Sequence, residues 1–152
     1  MNTRTLIHEE KLGVSASAAF RLLITPSAIC DWWSANTAIV QPKKDGLWAA
    51  TWGTDGDAPD YVSSATMVAF EPDRRIVLAD YTYWAKEGDL PFEADFTTEF
   101  LITPVEDGTC LLKVSQDGFP DTPDAVAFYD SCVQGWQDTF FGIRRYLDNS
   151  GN

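Results

Sequence analysis

The 152-residue chain is poor in the residues from which most catalytic and metal sites are made. It has one histidine, His8, and three cysteines, Cys30, Cys110 and Cys132, which lie far apart with no Cys-x-x-Cys spacing. A histidine without a fixed partner argues against a catalytic triad or a histidine-based metal site. An odd number of scattered cysteines in apolar surroundings reads as buried free thiols, not as a disulfide framework or a zinc site. Basic residues are also scarce, with 11 Lys and Arg against 23 Asp and Glu and a net charge of -12. That charge repels nucleic acid and anionic membrane surfaces, and the acidic excess itself reads as a solubility feature. No stretch approaches the ~20 apolar residues of a membrane span, and Met1 to Leu6 holds no signal-peptide core, so the expected location is the cytoplasm. Gly53-Thr54-Asp55-Gly56 lacks the lysine and following helix of a phosphate loop. Asp55, Asp57 and Asp60 lack calcium-loop spacing and its distal glutamate. No cofactor and no metal are expected.

What is present is apolar and aromatic. With 45% hydrophobic and 13% aromatic residues, the chain can bury a core of its own and is expected to form one domain over 1–152. Its organising stretch is Ala125 to Leu147. There Tyr129, Cys132, Val133, Trp136, Phe140, Ile143 and Leu147 recur every three or four residues and share one helical face. Asp121 or Thr122 can cap this helix and Pro123 suits its first turn, while Arg144 and Arg145 favour its negative end. Roughly 23 residues at 1.5 Å each make a rod of about 35 Å, which needs a partner surface of matching length.

Most of the preceding chain supplies that surface. Thr3 to Leu12 reads as a strand. Ser15 and Ser17 offer caps for a short helix through Phe20, Leu22 and Leu23, and Pro26 stops it and starts a second one leading to Trp32-Trp33. From Thr37 the period changes to two, with turn signals at regular intervals. Strands are expected over Ala38 to Gln41, Leu47 to Gly53, Tyr61 to Phe70, Arg75 to Trp84, Phe92 to Thr103 and Thr109 to Gln116, with Asp117 to Asp124 a loop. The Phe92 to Thr103 alternation is the clearest, placing Phe96, Phe100 and Ile102 on one face. Such a sheet must curl, and the long helix is the element able to cover its concave face, leaving a cavity between them.

The order of elements and a set of local motifs resemble the START-like, Bet v 1-type (SRPBCC) helix-grip superfamily, and within it the Hsp90-ATPase-activator-homologue family. The motifs are Ser15 to Phe20, Leu23-Ile24-Thr25-Pro26 followed by Asp31-Trp32-Trp33, Gly46-Leu47-Trp48, Glu71 to Val77, Asp107-Gly108-Thr109, and Gly135-Trp136 ahead of Ile143 and Leu147. The family usually has two glycines before the Trp48 strand; here Asp45 replaces the first, so a different turn is expected. The resemblance implies an α+β fold: a curved antiparallel sheet of six or seven strands, two short helices after strand one, and a long C-terminal helix over the concave face.

Within that frame the candidate ligand-binding residues are Trp48, Trp52, Asp80, Tyr81, Tyr83, Phe96, Phe100 and Trp136. They would hold a mostly apolar or aromatic small molecule, with a tyrosine hydroxyl or an inward carboxylate orienting it. The Arg75 to Trp84 strand can be read in either parity. If Ile76 and Leu78 face inward, so does Asp80, as a desolvated carboxyl able to serve as general acid or base; if Val77 and Ala79 do, Tyr81 and Tyr83 line the cavity. Trp32-Trp33 reads as a cap on the cavity mouth or sheet end, with a partner-binding patch as the alternative. The expected function is small hydrophobic-ligand binding by a monomer or homodimer, without obvious catalysis. An interaction module that meets a chaperone, as Hsp90 activators do, is the alternative, and a cyclase-like enzyme the third reading.

Overall fold

The computed structural model describes residues 3–149. In chain order the elements are β1 (Thr3–Leu12), α1 (Ala16–Ile24), α2 (Pro26–Trp32), β2 (Thr37–Val40), β3 (Gly46–Trp52), β4 (Tyr61–Glu71), β5 (Arg75–Ala85), β6 (Thr97–Val105), β7 (Thr109–Pro120) and α3 (Pro123–Asn149). The strands form one seven-stranded sheet in the order β1-β7-β6-β5-β4-β3-β2. Every neighbouring pair is antiparallel. This is the helix-grip α+β fold that the family resemblance implies.

Local chemistry accounts for the helix boundaries. Ser15 caps α1, its hydroxyl oxygen accepting from the Ala18 N–H at 3.1 Å, and Pro26 occupies the start of α2, where it forfeits no helical hydrogen bond. α3 runs to Asn149, so Arg144 and Arg145 precede its last turn and do not cap it. Arg144 instead crosses to β1, donating from Nε to Glu10 Oε1 at 2.7 Å. Burial acts to raise the Glu10 carboxyl, but the hydrogen bonds from His8 and Arg144 and the charges of both together hold it below its ordinary value. Asp45, in the turn before β3, adopts a left-handed backbone at φ 65°, a conformation that aspartate tolerates better than most non-glycine residues.

On the helix-covered face, cross-strand rows read Ile76, Phe100, Val114 and, one step along, Leu78, Thr98, Gln116. The first row is wholly apolar and buried, and with Leu12, Ile102, Leu112, Phe140 and Ile143 it belongs to a single core. α3 lies close to α2 at one point: a Cβ at Gly142 would stand 2.2 Å from the Trp32 carbonyl oxygen, so only glycine fits there.

Two departures from the expected strands shape the sheet. β6 begins at Thr97, not Phe92, because its pairing with β5 ends at Leu78 opposite Thr98. Beyond that pair β5 stays with β4 as far as Ala85 opposite Tyr61, and β6 loses its partner on that side. The alternation of Phe92, Ala94 and Phe96 reports a face, not a hydrogen-bonded neighbour, so it continues where the strand does not. β7, in turn, runs past Gln116 to Pro120. It does so through an irregularity opposite Arg4 and Leu6 of β1, where Gly118 at φ 99° approaches the Asp95 carbonyl.

A cavity between the parted strands and the long helix

The parting of β5 from β6 opens a gap in the sheet facing the first half of α3, while the β1–β7 pair continues to Thr3 and Pro120. The result is a cavity of about 330 Å³. Its walls are aromatic: Trp33, Trp52, Phe96, Phe100, Phe128 and Trp136 all line it. Its polar groups are neutral, and no Asp, Glu, Lys, Arg or His is among the lining residues. An adjoining surface depression shares Tyr83 and Leu90 with the cavity and continues along Pro91 and Phe92. The cavity therefore meets solvent beside the irregular segment 86–96.

How Tyr81 and Tyr83 reach this space settles the parity of β5. Ile76 and Leu78 face the core, buried to 2% and 1% exposure. Regular alternation would then bring Asp80 inward. Instead the register of β5 against β4 shifts between Thr66–Ala79 and Ser64–Thr82, and Asp80 takes a left-handed φ of 54°. This bulge turns the strand by one residue. Leu78, Tyr81 and Tyr83 consequently all line the cavity, while Asp80 is exposed and lies outside the lining. Each parity holds for one half of the strand, and the desolvated Asp80 carboxyl of the first reading is corrected to an exposed bulge residue.

Trp48 is the other candidate outside the lining. Its parity with Trp52 is real, but four residues separate their positions along β3. Trp48 is 3% exposed beneath α1, its Nε1–H donating to the Leu23 carbonyl at 3.2 Å. Trp52 reaches the cavity and donates to the Trp33 carbonyl at 3.1 Å. The structure thus brings together Trp52, Tyr81, Tyr83, Phe96, Phe100 and Trp136 from the sequence-based set.

Trp33 was expected at the mouth or sheet end, and it is the hub of the aromatic cluster. At the C-terminal end of α2 its backbone leaves the helical conformation, and its ring lies 5.3 Å from Trp32, 5.4 Å from Trp48 and Trp52, and 5.8 Å from Trp136. The two adjacent indoles find different burial: Trp32 is inserted into the core, donating to the Leu22 carbonyl at 2.8 Å, and Trp33 faces the cavity. Helical spacing could have found Phe128, which sits eight residues before Trp136 on a neighbouring stripe of α3. Gln116 carries no sequence signal, because the alternation that marks its strand ends there, whereas β7 continues to Pro120.

A line of polar groups crosses the cavity floor. The Tyr81 hydroxyl donates to Thr98 Oγ1 at 2.8 Å, and the Trp136 Nε1–H donates to Gln116 Oε1 at 2.9 Å. Thr98, 2% exposed, and Gln116 are direct cross-strand neighbours on β6 and β7. Burial pushes the Tyr81 phenol up to about 12, outweighing the hydrogen bond to Thr98, and pushes the Cys132 thiol up to about 11. Tyr83 is also raised, chiefly by burial and further by Tyr61, Cys132 and Glu87. These groups are protonated near neutrality, so the lining carries no charge there. Such a surface can bind by apolar contact, stacking and neutral hydrogen bonds.

The rest of the sparse chemistry lies elsewhere. His8 pairs with Glu10 at 2.6 Å and packs its ring 4.6 Å from Phe140. Asp55 accepts from the Asp57 N–H at 2.9 Å within its own turn. Among the described residues no helix is long and apolar enough to cross a membrane.

The same architecture recurs in solved structures. Protein MLL2253 from Mesorhizobium loti matches with a TM-score of 0.77 at 23% identity, over 98% of this chain and 100% of that one. PFC0360w, an HSP90 activator from Plasmodium falciparum, matches with a TM-score of 0.71 at 14% identity, over 95% and 96%. DynU16, a protein of the dynemicin biosynthetic locus, matches with a TM-score of 0.73 at 12% identity, over 96% of this chain and 48% of that one. At these identities the likeness is one of fold. No curated protein matches the sequence. The model of the family described as Activator of Hsp90 ATPase homolog 1-like protein matches residues 13–148. That match spans most of the chain, which therefore belongs to the Activator of Hsp90 ATPase homolog 1-like family.

Proposed function

We propose that the protein binds a small, mostly apolar or aromatic molecule in the cavity between α3 and the sheet, with Trp52, Tyr81, Tyr83, Phe96, Phe100 and Trp136 among the contacts. The observation that carries this reading is an uncharged, aromatic-walled space of about 330 Å³, within the ~300–1,000 Å³ of small-molecule sites. An unfilled apolar volume of that size would otherwise weaken the core, since missing contacts in an interior are destabilising. Asp80 and Trp48 have no part in this site. The reading takes the chain as one domain, acting in the cytoplasm as a monomer or homodimer without nucleic-acid partners. Native mass spectrometry of protein purified without organic solvent tests it, followed by denaturing extraction. A reproducible co-purified small molecule is the expected result. Protein that is empty and also shows no thermal shift with a hydrophobic-compound library would overturn the reading.

A second reading is an interaction module that meets an Hsp90-type chaperone, favoured by the fold likeness to the Plasmodium HSP90 activator. Co-precipitation with purified Hsp90 tests that reading. A cyclase-like reaction has less support. It needs at least two converging groups able to exchange a proton, and the titratable lining groups, Tyr81, Tyr83 and Cys132, are all shifted further towards their protonated forms.

A further inference from the structure

We infer that the cavity selects an uncharged, flat aromatic molecule bearing a carbonyl-type acceptor, and that Gln116 reads the acceptor. This deepens the ligand-binding reading and rests on it. Flatness follows from the walls. Indoles and phenyl rings present broad rigid faces, and a volume near the lower end of small-molecule sites suits a bicyclic ring system better than a long flexible chain.

Neutrality follows from what faces the space. An anion would enter a protein of net charge -12 and lose its hydration with no Lys, Arg or His in the lining to replace it. A cation could use the aromatic faces, but it would find no carboxylate in the lining and would meet amide N–H donors on the floor.

The acceptor requirement follows from counting donors. An indole nitrogen can only donate, so the contact at 2.9 Å fixes the Gln116 amide with Oε1 towards Trp136 Nε1. The Nε2–H groups of Gln116 have no protein partner among the described residues and are the unspent donors of the floor. The neighbouring Thr98 oxygen already accepts the Tyr81 proton, leaving its own hydroxyl proton as another donor. Thr98 and Gln116 stand directly opposite each other, and side chains so placed are ~5 Å apart at Cβ. A ligand carbonyl oxygen can accept from both. A ligand donor there would cover these N–H groups without pairing them, which is costly.

The test is equilibrium dialysis of the full chain with four probes of one ring system: acetylnaphthalene, ethylnaphthalene, naphthoate and naphthyltrimethylammonium. Acetylnaphthalene is expected to bind about five- to tenfold more tightly than ethylnaphthalene, the effect of one hydrogen bond, and about a hundredfold or more tightly than either ion. In Gln116→Met the preference for acetyl over ethyl should disappear; a ratio taken within one variant is insensitive to its overall stability. The side-chain amide resonances of Gln116 in the unmutated, nitrogen-labelled protein give a second measure, expected to move downfield with acetylnaphthalene and not with ethylnaphthalene. Binding of the ethyl or charged probes as tight as acetyl, a preference that survives Gln116→Met, or an unmoved Gln116 amide would each overturn the inference while leaving a binding cavity in place. Failure of acetylnaphthalene to bind would likewise overturn the inference, and only together with protein that is empty and unresponsive to the compound library would it overturn the ligand-binding reading itself.

Discussion

The two halves of α3 cover the same sheet with opposite results. In its second half Phe140 and Ile143, both at most 1% exposed, pack with Leu112 and Val114 of β7, and Gly142 lets the α2 backbone come within touching distance. In its first half Cys132, Gly135 and Trp136 face a cavity. Both halves are amphipathic, so hydrophobic patterning alone does not separate them. The difference has two sources. Under the second half the strands stay paired and large aliphatic side chains meet. Under the first half β5 and β6 part after Leu78 and Thr98, and glycine stands on the helix where a larger residue would fill the space. A core and a binding site are thus made from one helix by local choices of strand pairing and side-chain size.

The sharpest way to mark the closed half is Phe140→Ala. It should cost about 3–5 kcal/mol in urea unfolding, the usual effect of removing a fully buried aromatic ring. A loss below about 1 kcal/mol would show that this half is not close-packed. The open half should respond to pH through Tyr81. Its phenol is raised from 10.0 to about 12 in the folded protein, so the folded state holds this proton more tightly than the unfolded chain does. This contribution is therefore intact below pH 10 and is lost as pH rises from 10 towards 12, by on the order of 2 kcal/mol. Tyr81→Phe should abolish that part of the alkaline limb in pH-dependent unfolding. At the bulge that turns Tyr81 and Tyr83 inward, Asp80→Val places a β-branched residue at φ 54° and should cost about 1–2 kcal/mol, whereas Asp80→Gly should be neutral or slightly stabilising. Equal effects of the two substitutions on thermal unfolding would contradict a left-handed backbone there.

Much of this comparison was legible in the sequence and its decisive details were not. The 3.6-residue spacing from Tyr129 to Leu147 named the helix and most of its inner face, and the Pro26 and Ser15 signals placed both short helices. Alternation in Arg75 to Trp84 could offer only two parities, because a pattern of period two cannot register a bulge until the backbone shows where the phase changes. Asp80 marks that place. Alternation likewise carried the Phe92 to Thr103 strand five residues too far, since face preference survives after pairing ends. Trp48 and Trp52 show a third limit: common parity assigns a face, while a wide sheet has room on one face for both a structural indole under α1 and a cavity wall. Gln116 drew no attention because its importance lies in Trp136 and Thr98, which reach it only through the fold.

The central claim, that the open half is a binding site and not an imperfect core, is tested most directly by Gly135→Leu. Gly135 lines the cavity, and a Cβ built there meets no atom within 4 Å. Leucine should therefore enter the space without clashing. Replacing a mid-helix glycine should also add up to about 1 kcal/mol of helix stability. A binding site there predicts a variant with an equal or higher melting temperature that no longer carries the co-purified molecule or binds acetylnaphthalene. A variant that folds as well and binds undiminished would contradict it.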